Sequence, residues 1–281
     1  MQWSAIGHED VKRYLERLVM TGRFGHAYLF TGPEGIGKRM VAEDVARLLI
    51  PQGSELDITR LSPERDEDGR LHDIPIGAVR DMKRWVVLRP VGFKVVIIDD
   101  ADRLGGEAAN TLLKVLEEPP LYAKFLLITG RPGAVLPTIA SRCERVDFRP
   151  LDEAQMKTAL AGLKLDADDR ALLAAVAAGR PGMALKLLQN GEVPDVARHI
   201  AGLEKALKGG ITERLVYAKE VADDERAPEI ASWWLAWVHT HLAERPALAP
   251  VARGIQELVS VLGEPQFNRR LAVEHFLLSV D

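Results

Sequence analysis

The first half of the chain alternates short apolar runs with segments of helical periodicity. The apolar runs predict five strands, at residues 27–31, 56–61, 94–99, 124–129 and 145–148. The third and fourth runs are almost continuously apolar, which is typical of strands buried on both faces of a parallel sheet. Helical spacing over 11–20, 39–49 and 107–117 places helices between strands. Residues 1–150 are therefore predicted to form an α/β layer on a mostly parallel sheet.

The second half of the chain lacks this strand signal. Beyond residue 150 the sequence is rich in Ala and Leu at helical spacing, interrupted by Gly and Pro at 179–182, 191–194, 209–210 and 263–265. We predict two helical units here. The first contains about three helices and ends near residue 190, and the second extends over the remainder.

The charge balance restricts the possible partners. The 281 residues include 37 Lys and Arg against 41 Asp and Glu, a formal net charge of −4. This balance argues against a protein that wraps nucleic acid over its whole surface, so we expect any contact with DNA to be local or shared with partners. The single cysteine, Cys143, cannot form an internal disulfide, and no apolar run has a signal-peptide or membrane-span pattern. We expect a cytoplasmic protein that does not contact a membrane.

The segment 32–38, GPEGIGK, has the pattern of a Walker A loop between a strand and a helix. Its glycines let backbone N–H groups converge on phosphate oxygens, and its lysine reaches the β and γ phosphates. The next residue is arginine instead of the Ser or Thr whose hydroxyl ligates Mg²⁺. A loop that holds ATP or ADP with Mg²⁺ and a vestigial, purely structural loop both remain open. The candidate residues are Gly32, Pro33, Glu34, Gly35, Ile36, Gly37, Lys38 and Arg39.

Two acidic residues end the third predicted strand. Asp99 and Asp100 follow the apolar run 95–98, at the edge of a parallel sheet where ligands bind. Beside a Walker A loop this pattern indicates a Walker B element, in which Asp99 holds Mg²⁺ directly or through water. The alternative is that the two acids cap the following turn.

Five longer motifs resemble the AAA+ clamp-loader family, and within it the delta-prime subunits of bacterial DNA polymerase III. They are HAYLFTGPEGIGK at 26–38, VVIIDDADRL at 95–104, ANTLLKVLEEPP at 109–120 and LPTIASRC at 136–143, together with FNRRLAVEHFLLSV at 267–280. The resemblance covers nearly the whole chain and is weakest between 191 and 253. It implies a RecA-like AAA+ domain over 1–150, a small helical lid over 151–192 and an all-α collar domain over 193–281 that joins a ring.

The resemblance also implies a role in DNA replication. In this family the Ser-Arg-Cys motif supplies an arginine finger to ATP bound on a neighbouring subunit, and the matching residues here are Ser141 and Arg142. The implied partners are the gamma or tau motor subunits and the delta subunit. Through the assembled complex, the implied targets are the sliding clamp and primed DNA.

Several positions depart from the active members of the family. Asp100 stands where the AAA+ motors place a Glu that orients water, and the polar sensor after the fourth strand falls at or beside Thr129, in the preferred register on Gly130. In the lid, Gly182 occupies the place of a phosphate-contacting arginine, and Arg180 instead caps the preceding helix. The zinc-binding cysteines of many relatives are missing from 50–60, so no zinc site is expected. We therefore expect negligible ATP turnover by the isolated chain, which would act as a component of the polymerase complex.

Two alternatives remain. An autonomous ATPase such as a gamma or tau motor is favoured by Lys38 and the acidic pair, whereas the length of the chain argues against tau. A small-molecule P-loop kinase would make the 109–120 and 136–143 motifs accidental. In the last domain, Trp233, Trp234 and Trp237 are interpreted first as core residues and second as a collar contact.

Overall fold

The computed structural model of the protein describes residues 3–50, 55–66, 71–90, 92–264 and 267–280. The chain divides into two compact units, residues 1–150 and residues 151–281. Each unit has its own hydrophobic core.

The first unit is built on a five-stranded, all-parallel sheet in the order β2-β3-β4-β1-β5. Its strands are β1 Ala27–Thr31, β2 Ile58–Leu61, β3 Lys94–Ile98, β4 Ala123–Thr129 and β5 Glu144–Asp147. The five predicted strands and the α/β fold class are confirmed. The second strand begins two residues later than predicted, because Glu55–Asp57 form a 3-10 turn.

Helices cover both faces of this sheet, and alternate residues of the central strands point to opposite layers. Val96 and Ile98 pack with one group of helices, whereas Val95 and Ile97 pack with the other. The helices are α1 Glu9–Met20, α2 Lys38–Leu49, α3 Ile76–Val87, α4 Gly106–Glu117 and α5 Pro137–Ala140. Helix α3 was not predicted, although its buried residues Val79, Met82 and Val86 have helical spacing.

The second unit is entirely helical over its described residues. Its helices are α6 Glu153–Ala161, α7 Ala167–Ala177, α8 Pro181–Gln189, α9 Val193–Lys208, α10 Ile211–Asp223, α11 Ala227–His241, α12 Ala249–Leu262 and α13 Arg269–Ser279. One hydrophobic core runs through α6–α8 and α9–α13, so the division into a lid over 151–192 and a collar over 193–281 stays a prediction. Trp233, Trp234 and Trp237 are buried in that core, which confirms their first interpretation.

Two predicted helix interruptions differ from the structure in detail. Gly182 lies inside α8 because Pro181 takes the first helical position, where a missing N–H costs nothing. The helix α9 similarly begins at Val193, with Pro194 in its first turn. Residue 265, at the end of the last predicted interruption, lies outside the described residues. None of the described helices has the length and apolar character needed to cross a membrane.

Candidate functional site

The candidate Walker A loop leaves the end of β1 and enters α2, as predicted. Its glycines have positive φ values of 140° at Gly32, 73° at Gly35 and 105° at Gly37, a region that side chains rarely adopt. The Ile36 side chain is fully buried in the core, and His8 Nε2 donates to the Ile36 carbonyl oxygen at 2.7 Å. The protein's own packing therefore shapes this loop.

Lys38 is held above the loop by two backbone carbonyl groups. Its Nζ donates to the carbonyl oxygens of Gly32 and Pro33 at 2.6 and 2.7 Å, and the residue is only 6% exposed. An ammonium group has three protons, so one remains for an incoming phosphate oxygen. Burial lowers the pKa of Lys38, and the nearest carboxylates, Asp99 and Asp100, oppose that shift.

The sheet order places both acidic residues beside the loop. Asp99 follows β3, and its Oδ2 lies 3.5 Å from Nη1 of Arg39 at the start of α2. Burial, followed by the Asp100 charge, raises the pKa of the Asp99 carboxyl, while Arg39 and Lys38 counteract the rise. A cationic side chain thus stands at the end of β3, next to the candidate metal ligand.

Asp100 adopts a left-handed backbone conformation, with φ 48°. It precedes the 3-10 turn Ala101–Arg103 but makes no side-chain capping hydrogen bond to it, so the capping alternative lacks support at this residue. Burial raises the pKa of Asp100, and the Asp102 and Glu34 charges add to the effect. Nearby negative charges therefore make the ionised form of Asp100 less favourable than that of an isolated carboxyl group.

The side chain of Thr129, the last residue of β4, is held by hydrogen bonds within its own unit. Thr129 is fully buried and its Oγ1 donates to Asp102 Oδ1 at 2.6 Å, while Arg131 donates to Asp102 Oδ2 from both Nε and Nη2. These hydrogen bonds outweigh burial and hold the pKa of Asp102 below its usual range. A Cβ built on the next residue, Gly130, would have the Gly32 carbonyl oxygen as its nearest neighbour, at 3.9 Å. The preferred sensor register therefore leaves a side-chain-free position facing the loop.

The candidate finger motif lies at the other end of the strands. Glu144, the first residue of β5, pairs with Tyr28 of β1, four residues before Gly32, and Arg142 precedes Glu144. At about 3.3 Å per residue, four residues of a strand span about 13 Å. Because β1 and β5 are parallel, Arg142 sits near the amino edge of the sheet, whereas the Walker A loop sits at the carboxyl edge.

The Arg142 side chain is tethered within its own unit but is 35% exposed. Nη1 donates to the Thr138 carbonyl oxygen at 2.9 Å, and Nη2 donates to Glu117 Oε1 at 2.8 Å. The Glu117 side chain is itself 50% exposed. The neighbouring Ser141 is exposed, and its Oγ donates to the same Thr138 carbonyl oxygen at 3.1 Å.

Cys143 and Arg180 also lie in well-defined surroundings. Burial raises the pKa of the Cys143 thiol to about 12, and the side chain packs against the core of its unit, as expected of a small apolar residue. In the second unit, Arg180 Nε donates to the Ala177 carbonyl oxygen at 3.0 Å, at the end of α7. The predicted capping by Arg180 is confirmed.

Sequence reasoning missed the residues that orient these groups. His8 supports the loop, Asp102 and Arg131 engage Thr129, and Glu117 holds Arg142. Asp102 and Glu117 lie within the 95–104 and 109–120 motifs, and that position is the one sequence feature that could have identified them. Among the described residues, no cluster of three or more His, Cys, Asp or Glu side chains is arranged to hold a metal ion.

Comparisons with known proteins now identify the family. The model of a family described as "DNA polymerase III, delta subunit" matches residues 7–152. The delta-prime subunit of Pseudomonas aeruginosa is 32% identical over 90% of this chain and 84% of its own length. The tau subunit of Bacillus subtilis is 32% identical over 51% of this chain, but the match spans only 28% of the tau subunit.

Solved structures extend the likeness to the whole fold. A gamma subunit-related protein of DNA polymerase III from Thermotoga maritima has a TM-score of 0.51 at 20% identity, over 96% of this chain and 98% of its own. A mutant of the RuvB protein from the same organism has a TM-score of 0.50 at 18% identity, over 95% and 87%. The family-model match and the delta-prime relative establish that the chain belongs to the AAA+ clamp-loader family of DNA polymerase III subunits and is delta-prime-like.

Proposed function

We propose that this chain acts in a bacterial clamp loader by supplying Arg142 as an arginine finger to ATP bound on a neighbouring gamma or tau motor subunit. Together with the delta subunit, the assembly would load the sliding clamp on primed DNA. The observation that carries the proposal is the position of Arg142 near the sheet edge opposite its own Walker A loop. A guanidinium there is too far to serve its own nucleotide site and is available to another chain.

The environment of Arg142 suits this role. Ion pairs between partly exposed side chains contribute about 0–1 kcal/mol, so the Glu117 contact costs little to exchange for a phosphate. Arginine matches phosphate oxygens with two parallel donors and keeps its charge at every physiological pH. In GTPases, an arginine supplied in trans accelerates hydrolysis by about 10³–10⁵-fold.

The chain's own nucleotide site has a minor part in this proposal. In this proposal the Walker A loop can hold ATP or ADP, while Arg39, Asp100, Gly130 and Gly182 stand where active members of the family place groups used in hydrolysis. We expect negligible ATP turnover by the isolated chain, with no zinc involved. Robust DNA-stimulated turnover by that chain alone would favour the alternative, an autonomous motor. A subunit that acts on the bacterial chromosome would reside in the cytoplasm and need no membrane.

The test is an Arg142→Ala variant in a loader reconstituted with motor and delta subunits. Loss of the finger should slow the one adjoining ATP site by about 10³-fold or more, so the loader loses that site's share of its turnover. Size-exclusion chromatography should show unchanged assembly. The matched control is Arg145→Ala, which removes an exposed arginine paired with Asp147 on β5. Unchanged turnover with Arg142→Ala, or an equal loss with the control, would refute the finger.

A further inference from the structure

Mg²⁺ does not fit the residues that this Walker A loop presents. In P-loop proteins the ion is held by the hydroxyl after the lysine and by the acid at the end of the neighbouring strand. Residue 39 is an arginine, which has five donors, no acceptor and a permanent charge, so it cannot ligate a cation. The only ligands left for the ion from these two elements are the carboxylates that follow β3, Asp99 and Asp100.

Asp99, the first of these acids, is already paired with that arginine. Nη1 of Arg39 lies 3.5 Å from Asp99 Oδ2, and the two side chains are 62% and 24% exposed, respectively. The guanidinium thus brings a positive charge to the acid that would otherwise hold the ion. A divalent cation binding to Asp99 would be repelled by the positive charges of Arg39 and Lys38, because both residues lie at the start of α2 and act on that carboxylate.

The phosphate-binding half of the loop is nevertheless intact. Gly35 and Gly37 keep the left-handed conformations that curl the backbone, and Lys38 retains one proton beyond its two carbonyl contacts. The Arg39–Asp99 pair is solvent-accessible and long, so the guanidinium can turn toward a phosphate at low cost. Lys38 and Arg39 together offer two positive charges to a polyphosphate.

From this disagreement between the residues and the expected ion, we infer that the loop is a metal-independent site for the polyphosphate of a nucleotide. The Arg39 guanidinium stands where P-loop proteins hold Mg²⁺ and contacts the phosphates directly. Nucleotide binding by this chain is therefore indifferent to Mg²⁺. The inference concerns the chain's own site and does not depend on the role of Arg142.

The test is calorimetric titration of the full chain with ADP and with ATP, once with excess Mg²⁺ and once with EDTA. Each nucleotide should bind with a Kd that agrees between the two conditions within about twofold. Absence of binding under both conditions, or binding at least about tenfold tighter with Mg²⁺, would overturn the inference.

Single substitutions test which residues make nucleotide binding independent of Mg²⁺. Arg39→Thr restores the missing hydroxyl, so binding should weaken about ten- to a hundredfold in EDTA and recover when Mg²⁺ is added. Lys38→Met should abolish binding in both conditions, and persistence would place the nucleotide elsewhere and overturn the inference. Arg47→Thr removes an arginine two helical turns further along α2, paired with Asp44, and should change neither value. If circular dichroism shows that the Arg39→Thr chain is folded and its Kd is still the same with Mg²⁺ and with EDTA, the role assigned to Arg39 is contradicted.

Discussion

Replacing Gly32 with alanine should destabilise the first unit strongly, whether or not nucleotide binds. The residue has φ 140°, and a Cβ added to it would lie 2.3 Å from the Phe148 carbonyl oxygen and 3.1 Å from the Phe148 Cβ. That carbonyl cannot easily retreat, because the Phe148 N–H donates to the Thr31 carbonyl oxygen at 2.7 Å, at the end of β1. The first glycine of the loop is thus required by packing of the sheet.

The magnitude follows from two contributions. A side chain forced into a sparsely populated backbone region costs about 1–3 kcal/mol, and overpacking against a fixed neighbour costs about as much again. The expected loss for Gly32→Ala is therefore about 2–6 kcal/mol. Gly37→Ala incurs the backbone cost alone, since φ is 105° but no atom lies within 4 Å. Gly130→Ala, whose nearest neighbour is 3.9 Å away, should be neutral or stabilising by up to about 1 kcal/mol.

Urea unfolding monitored by labelling of Cys143 would measure these differences. The chain has one cysteine, and it lies in the first unit, so the label reports the unfolding of that unit. With a slope of about 2 kcal/mol per molar urea, Gly32→Ala should lower the midpoint by about 1–3 M, and Gly130→Ala should shift it by less than about 0.5 M. Equal midpoints for the two variants would refute the packing argument.

Two further predictions concern titratable side chains. In the folded chain, the Cys143 thiol, with its pKa raised to about 12, should react with a disulfide reagent at pH 8 about 10³-fold more slowly than after unfolding, and comparable rates would contradict its burial. Burial lowers the pKa of His199, and Arg198 donates to its Nε2 at 3.1 Å, so folding favours the neutral ring. This contribution is complete above the ordinary pKa of 6.5 and is lost as the pH falls below it. Tryptophan-monitored urea unfolding at pH 7.5 and 5.5 should therefore show a smaller pH dependence for His199→Gln than for the parent chain, and equal dependence would be evidence against a buried neutral histidine.

The elements that sequence reasoning predicted well are those with a local signal. The apolar runs of β3 and β4 are continuous because both faces of those strands are covered, and this pattern is visible without knowing the neighbours. The Walker A pattern is equally local, since its glycines and its lysine lie within seven residues. The helix α3 was not predicted, although its three buried residues give a local signal of the same kind.

The sequence by itself determined the strands and the positions of the candidate groups, because apolar runs and motif spacing are local, and the resemblance of its motifs indicated the family. Tertiary structure decided what those groups contact. The order β2-β3-β4-β1-β5 brings Asp99 to Arg39 and Thr129 to Asp102, and parallel pairing of β1 with β5 sets Arg142 apart from its own loop. Glu117 holds Arg142 from 25 residues away. Such contacts depend on how distant segments pack side by side, and no local periodicity encodes that arrangement.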